Sequence, residues 1–152
     1  MSSIPDYMTC QHRHCDDVFS AAESAVAIGN WPLAQEEWQI FTRELEAHLE
    51  AEETILFPRF EQATGITQGP TMVMRGEHEQ MRALVQQLNQ ALAAADQEVY
   101  LGLSETLMVL MQQHNMKEEM MLYPMSQQHI SDGDKTLNDL KEYCEQSEAM
   151  AV

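Results

Sequence analysis

Histidine and glutamate recur in this chain at spacings that could hold metal ions. Residues 48–58 read HLEAEETILFP and residues 114–124 read HNMKEEMMLYP, so both follow H-x3-E-E-x2-L-[FY]-P. Six fixed positions in eleven are hard to obtain by chance in 152 residues. Counting backwards, His12 lies 36 residues before His48, and His78 lies 36 residues before His114. Each half of the chain therefore carries one histidine followed by His-x-x-x-Glu, as two hairpins related by an approximate two-fold axis would. Neutral imidazole nitrogens and carboxylate oxygens together suit first-row transition ions.

Such a set works only if the surrounding elements aim it at one place. Proline and glycine divide the chain into long segments. The first runs from about Tyr7 to Ile28 and stops at Gly29-Asn30. The second starts at Trp31-Pro32, with proline suited to a first helical turn, and runs to Phe57-Pro58 or on to Thr64-Gly65. The third starts at Gly69-Pro70 and runs to about Ala95. Asp96 reads as an N-cap, and the fourth segment ends at Tyr123-Pro124. Residues 132–146 form a shorter fifth helix or a frayed tail. Apolar residues recur at helical rather than alternating spacing: Phe41, Leu45, Leu49, Ile55 and Leu56; then Met74, Met81, Leu84, Val85, Leu88 and Leu92; then Leu103, Leu107, Leu110, Met111 and Met121. Short connections imply antiparallel neighbours. The expected fold is all-α, an up-down-up-down four-helix bundle over about residues 7–130, with a short C-terminal helix or tail over 131–152, in a single domain.

Phase decides where the chemistry points. His48 sits three residues after Leu45 and seven after Phe41, and Glu52 and Leu56 follow it at four and eight. His114 sits three after Met111 and seven after Leu107, with Glu118 four beyond. His78 follows Met74 and precedes Met81 and Val85. His12 precedes Cys15 and Phe19. Residues three and four apart share a helix face, so His12, His48, Glu52, His78, His114 and Glu118 all face the expected core. A buried carboxylate left alone costs several kcal/mol. No lysine or arginine is in phase with either glutamate: Lys117 is about 100° around its helix from Glu118. Metal ions are the simplest compensation. Four imidazoles and two carboxylates are too nitrogen-rich for Mg²⁺ or Ca²⁺ and lack the thiolates of a structural Zn²⁺ site.

Composition narrows the field. Apolar residues make up 44% of the chain and charged residues 22%, ordinary for a globular protein. The net charge of −17 repels duplex nucleic acid and anionic membranes. The clearest apolar run, Leu107 to Met111, is far shorter than a membrane span, and the first residues lack the pattern of a secretory signal. Cys10, Cys15 and Cys144 are odd in number and show no C-x-x-C spacing, which points to a reducing, cytoplasmic setting. Twelve methionines read first as soft core filling. No P-loop, G-x-S-x-G motif or Cys-His nucleophile pair is visible.

The order H…HxxxE…H…HxxxE with its LFP and LYP endings resembles the hemerythrin-like domains over about residues 10–130. HRHCDDVF, GPTMVMRGEH and MQQHNMKEEMMLYPM are similar to the bacterial single-domain branch. The resemblance implies a non-heme di-iron centre, oxo- or hydroxo-bridged, with ligands His12, His48, Glu52, His78, His114 and Glu118, the two glutamates bridging. It also implies binding or reaction of O₂, NO or peroxide at an open iron position. Two features depart from the oxygen carriers. Met74 stands where they place a further histidine, and His114 is followed by Glu118 rather than by an aspartate one residue later. The four-His, two-Glu set is similar instead to iron-centre repair proteins and to the iron-sensing hemerythrin domain of an F-box protein. The repair proteins' N-terminal cysteine-containing domain has no counterpart in this sequence.

The expected function is a di-iron module that binds or senses a diatomic gas or handles labile iron. The alternatives are a di-iron enzyme acting on peroxide or NO, an iron donor in iron–sulfur centre repair, and a structural bundle with no metal or with adventitious zinc. His14, in phase with Val18 and Ala21, competes with His12; the 36-residue register and the resemblance favour His12. Glu53 and Glu119 read as solvated or as supports for the ligands, Glu119 orienting a histidine. His129 reads as a surface residue. Tyr123 and Tyr100 could reach an oxidised centre, but Tyr123 reads first as packing at a helix end. Met74, Met81, Met111 and Met121 read as cavity wall or core.

Overall fold

The computed structural model describes residues 2–150, the side chains as far as 147, and shows helices with no strands among them. Helix α1 spans Ile4–Ala27. It begins three residues before the expected Tyr7, because Ser3 and Asp6 form a reciprocal capping box: the Ser3 Oγ accepts from the Asp6 N–H at 3.2 Å, and the Asp6 carboxylate accepts from the Ser3 N–H. Gly29, at φ 75°, makes the turn, and Asn30 caps α2 (Trp31–Ala51) by accepting from the Leu33 N–H. Helix α4 spans Pro70–Ala93, and Asp96 caps α5 (Gln97–Lys117) through the Val99 N–H. The connections 28–30 and 94–96 are too short for anything but chain reversal. No helix among the described residues is long and apolar enough to cross a membrane.

The second segment takes the longer of its two expected courses, to Thr64-Gly65, and the expectation that Tyr123-Pro124 ends the fourth is corrected. Each rod goes through a π-helical turn, Glu52–Leu56 or Glu118–Leu122, and resumes as α3 (Phe57–Thr64) or α6 (Tyr123–His129). Proline is tolerated there because it occupies the first turn of the resumed helix, where no intrahelical donor is needed. The wider i→i+5 pattern is visible in the Phe57 N–H, which donates to the Glu52 carbonyl. Pro58 has no N–H for the next carbonyl in that pattern, that of Glu53, and Arg75 Nη1 reaches it at 3.5 Å.

The π turns also shift the helix phase. Met121 was expected on the core stripe but is 45% exposed, while Leu122 and Tyr123 are buried. One inserted residue per turn moves the inward face from 121 to 122–123, and likewise places Leu56 and Phe57 inside with Ile55 only half-buried.

The C-terminal segment is a helix, α7 (Gly133–Met150), lying on α2 and on the first π turn. Arg59 on α3 ties it down through Thr136 (3.0 Å) and Asp139 (2.6 Å). Apolar packing forms two bodies. One is built around Phe19, Trp38, Phe41, Leu88, Tyr100 and Leu107. The other is built around Ile4, Met8, Phe57, Phe60, Tyr123 and Leu140. Each full burial of such a side chain is worth about 1.5–3 kcal/mol. The candidate ligands fall between the two bodies on every rod: His12 lies between Met8 and Cys15, and His78 between Met74 and Met81.

Candidate metal centre

Six side chains converge in the layer between the two apolar bodies. His12, His48, Glu52, His78, His114 and Glu118 are all at most 4% exposed. Two groups of atoms lie within metal-binding reach of one another: Glu52, His78, His114 and Glu118 in one, His12, His48 and Glu118 in the other. His78 Nε2 is 3.1 Å from Glu52 Oε1, and His114 Nε2 is 3.2 Å from Glu118 Oε1. His12 Nε2 is 3.1 Å from Glu118 Oε1 and 3.2 Å from His48 Nε2. The i,i+4 spacing within α2 leaves His48 Nε2 3.5 Å from Glu52 Oε1. His14 is excluded from the cluster: its exposed ring meets Glu44 at 2.9 Å, on the outside of α1. His129 is exposed, as expected.

Every one of the four imidazoles is held from behind. His12 Nδ1 meets Glu119 at 2.7 Å, His48 Nδ1 meets Gln11 Oε1 at 2.7 Å, His78 Nδ1 meets Glu53 at 2.8 Å, and His114 Nδ1 meets Glu77 at 2.8 Å. Each outer partner is an acceptor, so each Nδ1 carries a proton and donates it. That leaves the Nε2 lone pairs pointing inward, the arrangement in which histidine binds a metal. Arg82 in turn grips Glu53 with two bonds of 2.8 Å, and Lys117 grips Glu77 at 2.5 Å.

Without a cation, the inward atoms are poorly matched. His78 Nε2 and Glu52 Oε1 are close yet make no hydrogen bond, and His114 Nε2 and Glu118 Oε2 are likewise buried without one. Lone pair faces lone pair across about 3 Å, which repels unless a cation or a proton lies between. The titration of the cluster expresses the same deficit. Burial pulls the His12 imidazole down, but the Glu118 and Glu119 carboxylates outweigh it and push it to about 10. His114 is pushed to about 9 against its burial, chiefly by Glu118. Burial and the Glu118 charge raise Glu52 to about 7, whereas Glu118, despite its burial, is held well below the usual carboxylate range by His114 and its hydrogen bonds. His48, buried beside His12, is pushed well below its ordinary value. Orphaned acceptors and a nitrogen-rich donor set fit a bound transition-metal pair.

Three residues at the cluster are missed or misjudged by the sequence reading. Glu77 and Gln11 orient His114 and His48, and Tyr123, expected as packing, puts its hydroxyl into the cluster: 2.7 Å from Glu52 Oε2 and 2.9 Å from Glu118 Oε1. A signal for them exists. Gln11, His12, His48, Glu52, Glu53 and Phe57 recur 66 residues later as Glu77, His78, His114, Glu118, Glu119 and Tyr123. Extending the repeat one residue outward from each ligand reaches the residues that hold the histidines.

Beside the imidazoles of His12, His48 and His114 is an enclosed cavity of about 10 Å³, walled by Leu45, Leu49, Met81 and Met111. That is room for about one water-sized molecule. A surface groove lined by Met116, Glu119 and Met120 shares His12, Asp16 and Asn115 with it.

A helical bundle that brings four histidines and two buried glutamates to one layer belongs to the metal-binding class of bundles. The chain is a member of the hemerythrin family, matching the hemerythrin HHE cation-binding domain over residues 3–126. No curated protein and no solved structure matches it.

Proposed function

We propose that the chain holds two iron ions and uses them to bind a small diatomic molecule, O₂ or NO. His12, His48, His78 and His114 would supply Nε2 atoms, and Glu52 and Glu118 would be shared between the ions. The observation that carries this reading is the set of outward-tied Nδ1 atoms, which turns four lone pairs toward two buried carboxylates. The donor set has nitrogen and oxygen but no thiolate, which fits iron better than structural zinc. Iron would supply a redox-active Lewis acid with positions left for an exogenous ligand.

The protein's own side chains would do the rest. Leu45, Leu49, Met81 and Met111 exclude bulk water from the face carrying His12, His48 and His114. The cavity they leave has room for about one water-sized molecule. Glu53, Glu77, Glu119 and Gln11 fix the ring orientations, so the site needs little rearrangement on loading.

The test is rapid mixing of the reduced, iron-loaded protein with NO and, separately, with O₂. One stoichiometric event per centre is expected with at least one gas. No spectral change with either would contradict gas binding, and sustained turnover of NO or of added peroxide would make the protein an enzyme instead.

A further inference from the structure

The two halves of the cluster are not equivalent. The LFP and LYP endings place Phe57 and Tyr123 at matching positions, 66 residues apart. The Phe57 ring lies 5.4 Å from the His78 ring, and the Tyr123 ring stacks on His12 at 5.5 Å. The two aromatics therefore take the same place beside opposite halves, and only one carries an oxygen. That oxygen is fully buried and lies among the inward atoms: 3.0 Å from His12 Nε2, 3.4 Å from His48 Nε2, 2.9 Å from Glu118 Oε1 and 2.7 Å from Glu52 Oε2. The His12, His48 and Glu118 atoms that could hold one ion are thus already accompanied by a further oxygen donor. Across the cluster, His78 Nε2 and His114 Nε2 have no such neighbour.

A second asymmetry offsets the first. His78 and His114 are backed by two carboxylates, Glu53 and Glu77. His12 and His48 are backed by one carboxylate, Glu119, and by the neutral amide of Gln11. The half that lacks one outer negative charge is the half with the phenol.

We propose that Tyr123 is a direct ligand of the ion held by His12 and His48, which makes the two iron positions chemically distinct. This rests on the di-iron reading above. On loading, the phenol O–H bond breaks, the proton leaves to solvent, and Tyr123 Oη donates its electron pair to that ion. Neither partner is oxidised or reduced. Phe57 offers nothing equivalent to the other ion.

Ferric phenolate has a visible charge-transfer band and characteristic tyrosinate ring modes in resonance Raman spectra. The ferric wild-type protein should show both, and growth on ring-deuterated tyrosine should shift the Raman modes. Tyr123→Phe should retain two irons per chain and lose the band entirely, whereas Tyr100→Phe, in the other apolar body, should keep it. A wild-type protein with its full iron and no tyrosinate modes would overturn the assignment and leave the di-iron reading standing. So would a band that survives in Tyr123→Phe. A wild-type chain that takes up no iron would overturn the di-iron reading itself, so the two failures are distinguishable.

Discussion

The side chains behind the histidines govern how well this site can hold a metal. A histidine whose Nδ1–H is given to a carboxylate is a more basic, better oriented ligand, and loss of such a partner costs about 10–100-fold in metal affinity. Glu77 holds His114 and is itself held by Lys117. Glu77→Gln should therefore weaken iron retention by about 10-fold or more in competition with a chelator, with helicity unchanged. An unaltered affinity would show that the ring is positioned by packing alone. Glu53 has a further consequence. Burial pushes its carboxyl up, but Arg82 and His78 outweigh this and hold it below the ordinary range. Its folded pKa thus lies below the unfolded value of about 4.3. The stability it contributes is present above that value and is lost as pH falls through the lowered folded pKa. Arg82→Ala should make the acid end of a melting-temperature profile shallower in the metal-free protein. An unchanged slope would contradict the pairing.

At the scale of elements, the π turns decide which face of each rod looks inward. The phase they impose gives a sharp contrast between neighbours. Leu122→Ala should cost about 2–5 kcal/mol, as large-to-small changes in a core do, while Met121→Ala should stay within about 0.5 kcal/mol. Denaturant midpoints of the two variants check this, and equal losses would mean that the rod is regular α-helix throughout.

These turns also mark where sequence reasoning stopped. The spacing of apolar residues predicts the long helices, their order and the convergence of all six His and Glu side chains, because a face recurring every 3.6 residues is written directly in residue types. Nothing in that periodicity announces an inserted residue. Regular spacing therefore puts Met121 on the core stripe and makes Tyr123-Pro124 an end, and the structure shows neither. Tyr123 reads as packing for the same reason, since a regular helix does not show how far inward the turn carries residue 123. The early start at Ser3 is legible in the Ser-x-x-Asp box rather than in the apolar spacing.

For the whole molecule, the centre sits where its two apolar bodies meet, so metal and fold should be linked. Without ions, Glu52 and Glu118 are fully buried with orphaned oxygens and must rely on protonated histidines. Ligand binding to the folded state alone stabilises it in proportion to occupancy. Exhaustive chelation should lower the melting temperature by several degrees, and returning iron should restore it. An identical melting temperature in the two forms would mean that the carboxylates are satisfied by the protein itself.

If six inward side chains hold a pair of iron ions, elemental analysis of the chain after anaerobic loading with ferrous iron and desalting should find them. The expected result is two irons per wild-type chain and loss of the pair in Glu52→Ala. A wild-type chain that leaves the column with no iron, or a Glu52→Ala chain that keeps both ions, would contradict it.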